Sequence, residues 1–298
     1  MDDFRCGYIA LVGRPNVGKS TLLNRILGQK ISITSRRPQT TRHRVLGIKS
    51  QPAAQLIYVD TPGIHDFSGR AMNRHMNRTA SSVLQDVDVV VFLVDGLHWT
   101  ADDDLVLKKL GQLKSPVILA VNKIDLLGNR EELLPRLQAL SEKHHFLHII
   151  PISAGKGDNV EELEVAIERL LPQAPPLFPE DQVTDRSVRF LAAELVREKL
   201  FRKLGKELPY GLTVEIEQFK SDTNITHIHA LIWVERKSQK YIVIGKQGRM
   251  LKEVGIEARR DIEALIDGKV NLKLWVKVKE GWADDERALH SLGYTHDD

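Results

Sequence analysis

The chain holds a single cysteine, Cys6, among 298 residues. A lone thiol excludes a disulfide framework and a cysteine-based zinc site. Aromatic residues are sparse at 6%, and no apolar run approaches the roughly 20 residues needed to span a membrane. The run at residues 89–94 is only six long. The start, Met1-Asp2-Asp3-Phe4-Arg5, is acidic where a secretory leader would be basic and then apolar. These absences lead us to expect a cytoplasmic protein.

Charge of one sign is also lacking overall, since 43 Lys+Arg face 40 Asp+Glu for a net +3. Its distribution is uneven. Residues 236–279 carry 12 Lys+Arg against 5 Asp+Glu, and residues 280–298 carry 6 acids and one base. Such separation suits a solvated surface, and a concentrated basic face is also what an RNA site requires. A hydrophobic content of 42% can bury a core, and the length suits two domains.

Over residues 1–172, short apolar runs alternate with segments of helical period. Strands are expected near 8–12, 55–59, 87–94, 117–121 and 147–152. Helices are expected near 21–27, 70–84, 103–113, 131–143 and 160–171. Continuous Val/Ile/Leu strands joined by helices predict an α/β domain, a mostly parallel sheet with helices on both faces. Four prolines in residues 172–179 cannot continue a helix, so a semi-rigid linker is expected over 173–184. Residues 185–281 then read as an α+β domain: a helix near 187–204, strands near 213–219 and 227–234, a helix opening after Gly248, another over 256–266, and a strand over 271–278. Residues 282–298 are expected as a helix and tail.

The chemistry begins at Gly13-Arg14-Pro15-Asn16-Val17-Gly18-Lys19-Ser20. This G-x-x-x-x-G-K-[ST] stretch stands between a strand and a helix, the context in which backbone N–H groups converge on phosphates. Lys19 would neutralise the β- and γ-phosphates, and the Ser20 hydroxyl would ligate Mg²⁺. Asp60-Thr61-Pro62-Gly63 follows a strand, so Asp60 can hold Mg²⁺ through water and the Gly63 N–H can reach the γ-phosphate. Asn122-Lys123-Ile124-Asp125 follows the next strand, and Asp125 can accept from both N1–H and N2–H₂ of guanine. Adenine lacks that donor pair, so ATP would leave a carboxylate unpaired. Ser153-Ala154-Gly155 would offer a backbone N–H to guanine O6.

Taken in order, these motifs resemble the translation-factor-like GTPases over residues 7–171. The resemblance places a first switch loop at residues 36–44. There Thr40 or Thr41 would close on Mg²⁺ beside GTP, with Thr41 preferred. Where many GTPases carry a water-orienting glutamine after D-x-x-G, this chain has Ile64, which cannot position water. That substitution is similar to the Era, TrmE and Der branch. In potassium-activated members of the branch an Asn in the phosphate loop coordinates K⁺, and Asn16 occupies the matching place. The alternative, that Asn16 only shapes the loop, stands beside it. With Lys19 and Thr41, Asn16 completes the expected catalytic set.

In the second domain, Ile242-Val243-Ile244-Gly245-Lys246-Gln247-Gly248-Arg249 matches the G-x-x-G loop of KH domains. Its glycines allow close approach to a nucleic-acid backbone, Lys246 and Arg249 bring charge, and Ile242 and Ile244 can line a groove for unstacked bases. A GTPase domain, a proline linker and a C-terminal type-II KH domain together resemble the Era family. The resemblance implies a monomeric GTP-hydrolysing switch that binds the single-stranded 3′ end of small-subunit ribosomal RNA, assists maturation of the 30S subunit and touches the inner membrane peripherally. A rival is a GTPase serving an RNA-modifying enzyme, against which stands the absence of any domain for modification chemistry.

Overall fold

The computed structural model describes residues 3–35, 37, 40–63, 71–205, 208–292 and 294. They fall into two compact units. One comprises the described residues within Met1–Ser32, Thr41–Phe67 and Met76–Asp185, the other those within Ile33–Thr40, Ser68–His75 and Arg186–Asp298.

The first unit is a six-stranded sheet of β1 (Arg5–Val12), β2 (Val45–Ser50), β3 (Ala54–Asp60), β4 (Val89–Asp95), β5 (Val117–Asn122) and β6 (His148–Pro151), in the order β2-β3-β1-β4-β5-β6. All neighbours run parallel except β2 and β3. The inner strands bury nearly every residue, which is why they read as unbroken runs rather than alternating ones. Helices α1 (Lys19–Leu27), α2 (Ala71–Ser82, counted here from Met76), α3 (Ala101–Leu110), α4 (Leu133–Ser141) and α5 (Val160–Leu170) follow in sequence. A capping box between Thr100 and Asp103 starts α3. Three parallel strands, β1, β3 and β5, end beside Gly13, Thr61 and Lys123, so the three motifs gather at the carboxyl edge of the sheet.

Strand β2 is absent from the expectations above. It is short, ends in polar Lys49 and Ser50 and carries Gly47 at its centre, so its sequence has little strand character. Gly47 is needed for packing: a Cβ there would lie 2.5 Å from Leu23 Cδ1.

In the second unit, α6 (Val188–Lys203) packs with a three-stranded sheet of β7 (Leu212–Ser221), β8 (Thr226–Val234) and β9 (Val270–Val278). Strand β8 pairs antiparallel with β7 and parallel with β9. Two helices lie between β8 and β9 in sequence, but not where the residue pattern placed them. Helix α7 (Lys237–Ile244) precedes the G-x-x-G loop, and α8 (Arg249–Ile266) is one continuous helix after it. Gly255 does not interrupt α8, because the Val254, Ala258 and Ile262 stripe is buried and holds the helix through the glycine. The final helix is α9 (Glu286–Ser291). Ile228, Ala230, Ile232 and Val234 of β8 and Val270 and Val276 of β9 face the core with Leu195, Val196 and Phe201 of α6.

Candidate functional site

The phosphate loop is a tight backbone turn whose glycines are required sterically. A Cβ on Gly13 would sit 2.4 Å from the Leu93 carbonyl oxygen. On Gly18, at φ +108°, it would sit 2.3 Å from Asn122 Nδ2. Asn16 also adopts a positive φ, +66°. Lys19 is almost wholly buried, and its ammonium donates to the carbonyls of Gly13 (2.9 Å) and Arg14 (3.1 Å). Burial pulls its pKa from 10.5 down to about 8, against the opposing pull of Asp60. A phosphate in the loop would supply the counter-charge that this ammonium lacks.

Ser20, Thr41 and Asp60 converge. The Ser20 hydroxyl lies 2.9 Å from that of Thr41 and donates to Asp60 Oδ2 at 2.7 Å, where Ser32 donates as well. Asp60 Oδ1 is buried with no hydrogen-bond partner, and burial pushes the carboxyl pKa up despite Ser20, Lys19 and Ser32. Two hydroxyls and an orphaned carboxylate oxygen are the donor set of a hard cation such as Mg²⁺. Thr40 takes another course: its hydroxyl donates to the Arg37 carbonyl at 2.8 Å. Gly63 lies against the loop, since a Cβ on it would be 2.7 Å from the Pro15 nitrogen. Ile64 falls outside the described residues.

Several members of the expected set face elsewhere. The Arg14 guanidinium donates to Asp103 (3.0 Å) and to the His98 carbonyl (3.2 Å), so only its backbone belongs to the loop. The Thr61 hydroxyl is buried on the Leu11 carbonyl. Val17 is fully buried, and its carbonyl accepts from Asn122 Nδ2 at 2.7 Å.

Asn122 also accepts from the Ala154 N–H at 2.9 Å, so one side chain ties the phosphate loop to the 153–155 loop. The Ala154 amide is therefore held by Asn122 here rather than presented to a base. Lys123 turns through a left-handed φ of +68° and extends its ammonium to Asp95 at 2.7 Å. The Ile124 N–H reaches the Ile152 carbonyl, and the Ser153 hydroxyl donates to Asp125 Oδ1 at 2.7 Å, fixing the carboxylate that would read guanine.

Sequence reasoning missed Ser32 and Asn24. Asn24 accepts from the N–H groups of Ile31 and Ser32 and donates to the Ser32 carbonyl, which sets Ser32 against Asp60. Nothing in the sequence marks them, because the contact depends on how the chain turns after α1.

In the second unit, Thr34 and Thr40 are bonded to α6. Glu198, fully buried, accepts from the Thr34 N–H at 2.9 Å, and Arg202 donates to Thr34 and to Glu198. Buried Arg197 donates to the Thr40 carbonyl at 2.5 Å and to Glu194. Lys199 joins Glu198 to Asp261 of α8.

The G-x-x-G loop of this unit is exposed. Gly245 (φ +72°) lets α7 turn into the loop, where a Cβ would lie 2.6 Å from that of Met250. Lys246 and Gln247 are exposed at its tip, and the left-handed φ of Gln247, +53°, turns the chain toward Gly248. Arg249 is exposed and donates to Glu253 at 3.1 Å, so that guanidinium has a competing acidic partner. The residues before the loop are helical, so Ile242 and Ile244, two apart, point to different sides. Ile242 is 52% exposed, next to Tyr241 at 75%, whereas Ile244 packs against the core.

Comparison with known proteins decides the family. Residues 8–123 match the family model described as 50S ribosome-binding GTPase, and residues 207–283 match a KH domain. The chain is 60% identical to GTPase Era of Ectopseudomonas mendocina over 290 residues, 97% of each chain. It is likewise 60% identical to GTPase Era of Haemophilus influenzae (strain PittGG), covering 98% of this chain and 97% of the other. The chain belongs to the Era family of GTPases. Among solved structures it resembles Era in complex with MgGDPNP and nucleotides 1506–1542 of 16S ribosomal RNA, with a TM-score of 0.95 and 41% identity, covering 98% of this chain and all of that one. A variant of Aquifex aeolicus Era bound to GDP·AlF4⁻ gives the same TM-score at 40% identity and the same coverage. The Era family fold accounts for both halves, a P-loop GTPase domain with a mostly parallel sheet followed by a KH domain, and the chain is a GTP-hydrolysing enzyme.

Proposed function

We propose that this GTPase binds the 3′ end of small-subunit ribosomal RNA through its KH half and assists 30S subunit maturation, with the nucleotide setting its RNA affinity. The carrying observation is the bonding of Ser32, Thr34, Thr40 and Thr41. Ser32 and Thr41 touch Asp60 and Ser20, while Thr34 and Thr40 between them are bonded to Glu198 and Arg197 of the helix that opens the KH half. Residues adjacent in sequence to the Mg²⁺ ligands and bonded to the helix that opens the KH half can convert a change at the γ-phosphate into a change at the RNA unit. The RNA bound by the similar Era structure supports the choice of partner.

Within that reading, the 13–20 loop and Lys19 take the triphosphate, and Asp125, oriented by Ser153, takes guanine. Mg²⁺ is held by Ser20, Thr41 and the unpaired oxygen of Asp60, and the MgGDPNP in a similar structure supports its identity. When bound, the cation neutralises charge on the phosphate oxygens. No glutamine follows Gly63, so water must be ordered by other means, and K⁺ at Asn16 is the reading we favour. The chain acts as a cytoplasmic monomer. No described helix is long and apolar enough to cross a membrane, and inner-membrane contact, carried by the family resemblance alone, would be peripheral.

The test titrates the whole chain against a single-stranded 3′-terminal 16S ribosomal RNA fragment at several salt concentrations. Replacing Lys246 and Gln247 by Asp should weaken binding and flatten the salt dependence by about 0.7 in log–log slope for each phosphate no longer neutralised, with GTP binding intact. Unchanged RNA affinity in that variant would overturn the placement of the RNA site.

A further inference from the structure

The sheet of the second unit has two unlike faces. Ile228, Ala230, Ile232 and Val234 of β8 point into the core, and so do Leu272, Leu274 and Val276 of β9. The alternate residues form the other face. Register places His229 beside Lys273, Leu231 beside Trp275 and Trp233 beside Lys277, with Gln218 and Lys220 of β7 opposite His229 and His227. Trp275 is 41% exposed and meets the His229 ring edge-on at 5.0 Å. Lys277 and Lys279 hold their ammoniums 5.8 and 5.9 Å from the Trp233 ring, whose indole N–H donates to Glu215 at 2.9 Å.

One end of this face is closed. The Thr213 hydroxyl meets that of Tyr294 at 3.0 Å, and Tyr294 stacks on fully buried Trp282. Leu231 in the middle of the face is buried among its neighbours, Trp275 and Lys277 beside it are exposed, and the face is chemically biased: Lys220, Lys273, Lys277 and Lys279 outnumber Glu215 and Asp222. An exposed indole, Trp275, beside a row of lysines is a combination that takes single-stranded nucleic acid, a base on the ring and phosphates on the ammoniums.

We propose that the open face of this sheet is a second RNA surface, on which Trp275 stacks a base and Lys273, Lys277 and Lys279 pair with phosphates of a single-stranded segment. It lies on the side of the sheet opposite α6 and α8, separate from the G-x-x-G loop, which by itself clamps about four nucleotides. The inference rests on the RNA reading given above and extends it: the loop holds one stretch of the strand, and the sheet holds another.

The experiment uses the full chain and two single-stranded oligoribonucleotides from the 3′ end of 16S ribosomal RNA, one of about 6 and one of about 20 nucleotides, bracketing the reach of one loop. The sheet variants are Lys273→Glu with Lys277→Glu, and separately Trp275→Ala. Trp275→Phe is the control that keeps a stacking ring. Retained affinity for the shorter RNA, held by the loop of the same unit, reports that each sheet variant is folded there. The charge pair and Trp275→Ala should lose about tenfold or more in affinity for the longer RNA and little for the shorter, with Trp275→Phe near wild type. The Lys246→Asp, Gln247→Asp variant should lose both. Sheet variants that bind the longer RNA as wild type does, while the loop variant fails, would overturn the second surface and leave the RNA reading standing. Wild-type protein that binds neither RNA would overturn both.

Discussion

The Ser20 hydroxyl donates to Oδ2 of Asp60 across 2.7 Å, linking the end of the phosphate loop to the end of β3 and leaving Oδ1 buried without a partner. That bond brings two motifs 40 residues apart into one oxygen cluster with Thr41. An uncompensated buried carboxylate oxygen costs about 1–3 kcal/mol, which a cation bound beside it would offset.

Asp60→Asn keeps the shape and removes the charge. Mg²⁺-dependent GTP affinity should fall by about 10- to 100-fold, while affinity measured with EDTA changes little. A titration of nucleotide affinity against Mg²⁺ checks this. A variant with the wild-type Mg²⁺ dependence would remove Asp60 from the cation site.

Catalysis without a glutamine should depend on the monovalent ion. Turnover is expected to be slow in Na⁺, to rise in K⁺, and to lose that rise in Asn16→Ala while GTP affinity holds. Phosphate release measured in the two salts decides it, and equal wild-type rates would discard the potassium reading without touching GTP hydrolysis.

How much of the fold and site was legible in the sequence depended on where each bond goes. The parallel strands announced themselves as apolar runs because both of their faces are buried, and the loop glycines because no other residue fits beside Leu93 and Asn122. Strand β2 was invisible: it is an edge, and its Gly47 serves a helix contact rather than the sheet. A helix broken near Gly255 was the natural reading of local propensity, and the buried stripe of α8 overrode it. Thr61 and Ala154 lie within nucleotide motifs, yet the Thr61 hydroxyl bonds to Leu11 and the Ala154 amide to Asn122. Nothing in the sequence distinguishes Glu198 from the other acids of its helix. Only the fold puts it, wholly buried, under the Thr34 amide.

Asp95 provides a pH test. Burial, the largest influence, pushes its pKa up, but Lys123, the Leu97 N–H and Arg14 together outweigh it and hold the carboxyl below 3.8. An acid whose folded pKa is depressed stabilises the fold fully above its unfolded value, and that contribution disappears as pH falls through the folded value. Asp95→Asn should therefore melt below wild type at pH 7, and the gap should close in acid below about pH 4. Thermal melts across pH test this, and a gap that persisted at low pH would assign Asp95 a role independent of its charge.

The central claim is that guanine nucleotide bound by the first unit sets the RNA affinity of the second. Asp125→Asn turns an acceptor pair into one acceptor and one donor, so preference should pass from GTP to xanthosine triphosphate. The decisive measurement is the affinity of wild type and Asp125→Asn for the single-stranded 3′ ribosomal RNA, each with non-hydrolysable GTP, with the xanthosine analogue and with GDP. Wild type should bind RNA about fivefold or more tightly with the GTP analogue than with GDP and ignore the xanthosine analogue, while Asp125→Asn should respond to the xanthosine analogue and ignore GTP. RNA affinity indifferent to nucleotide in both proteins would contradict the claim.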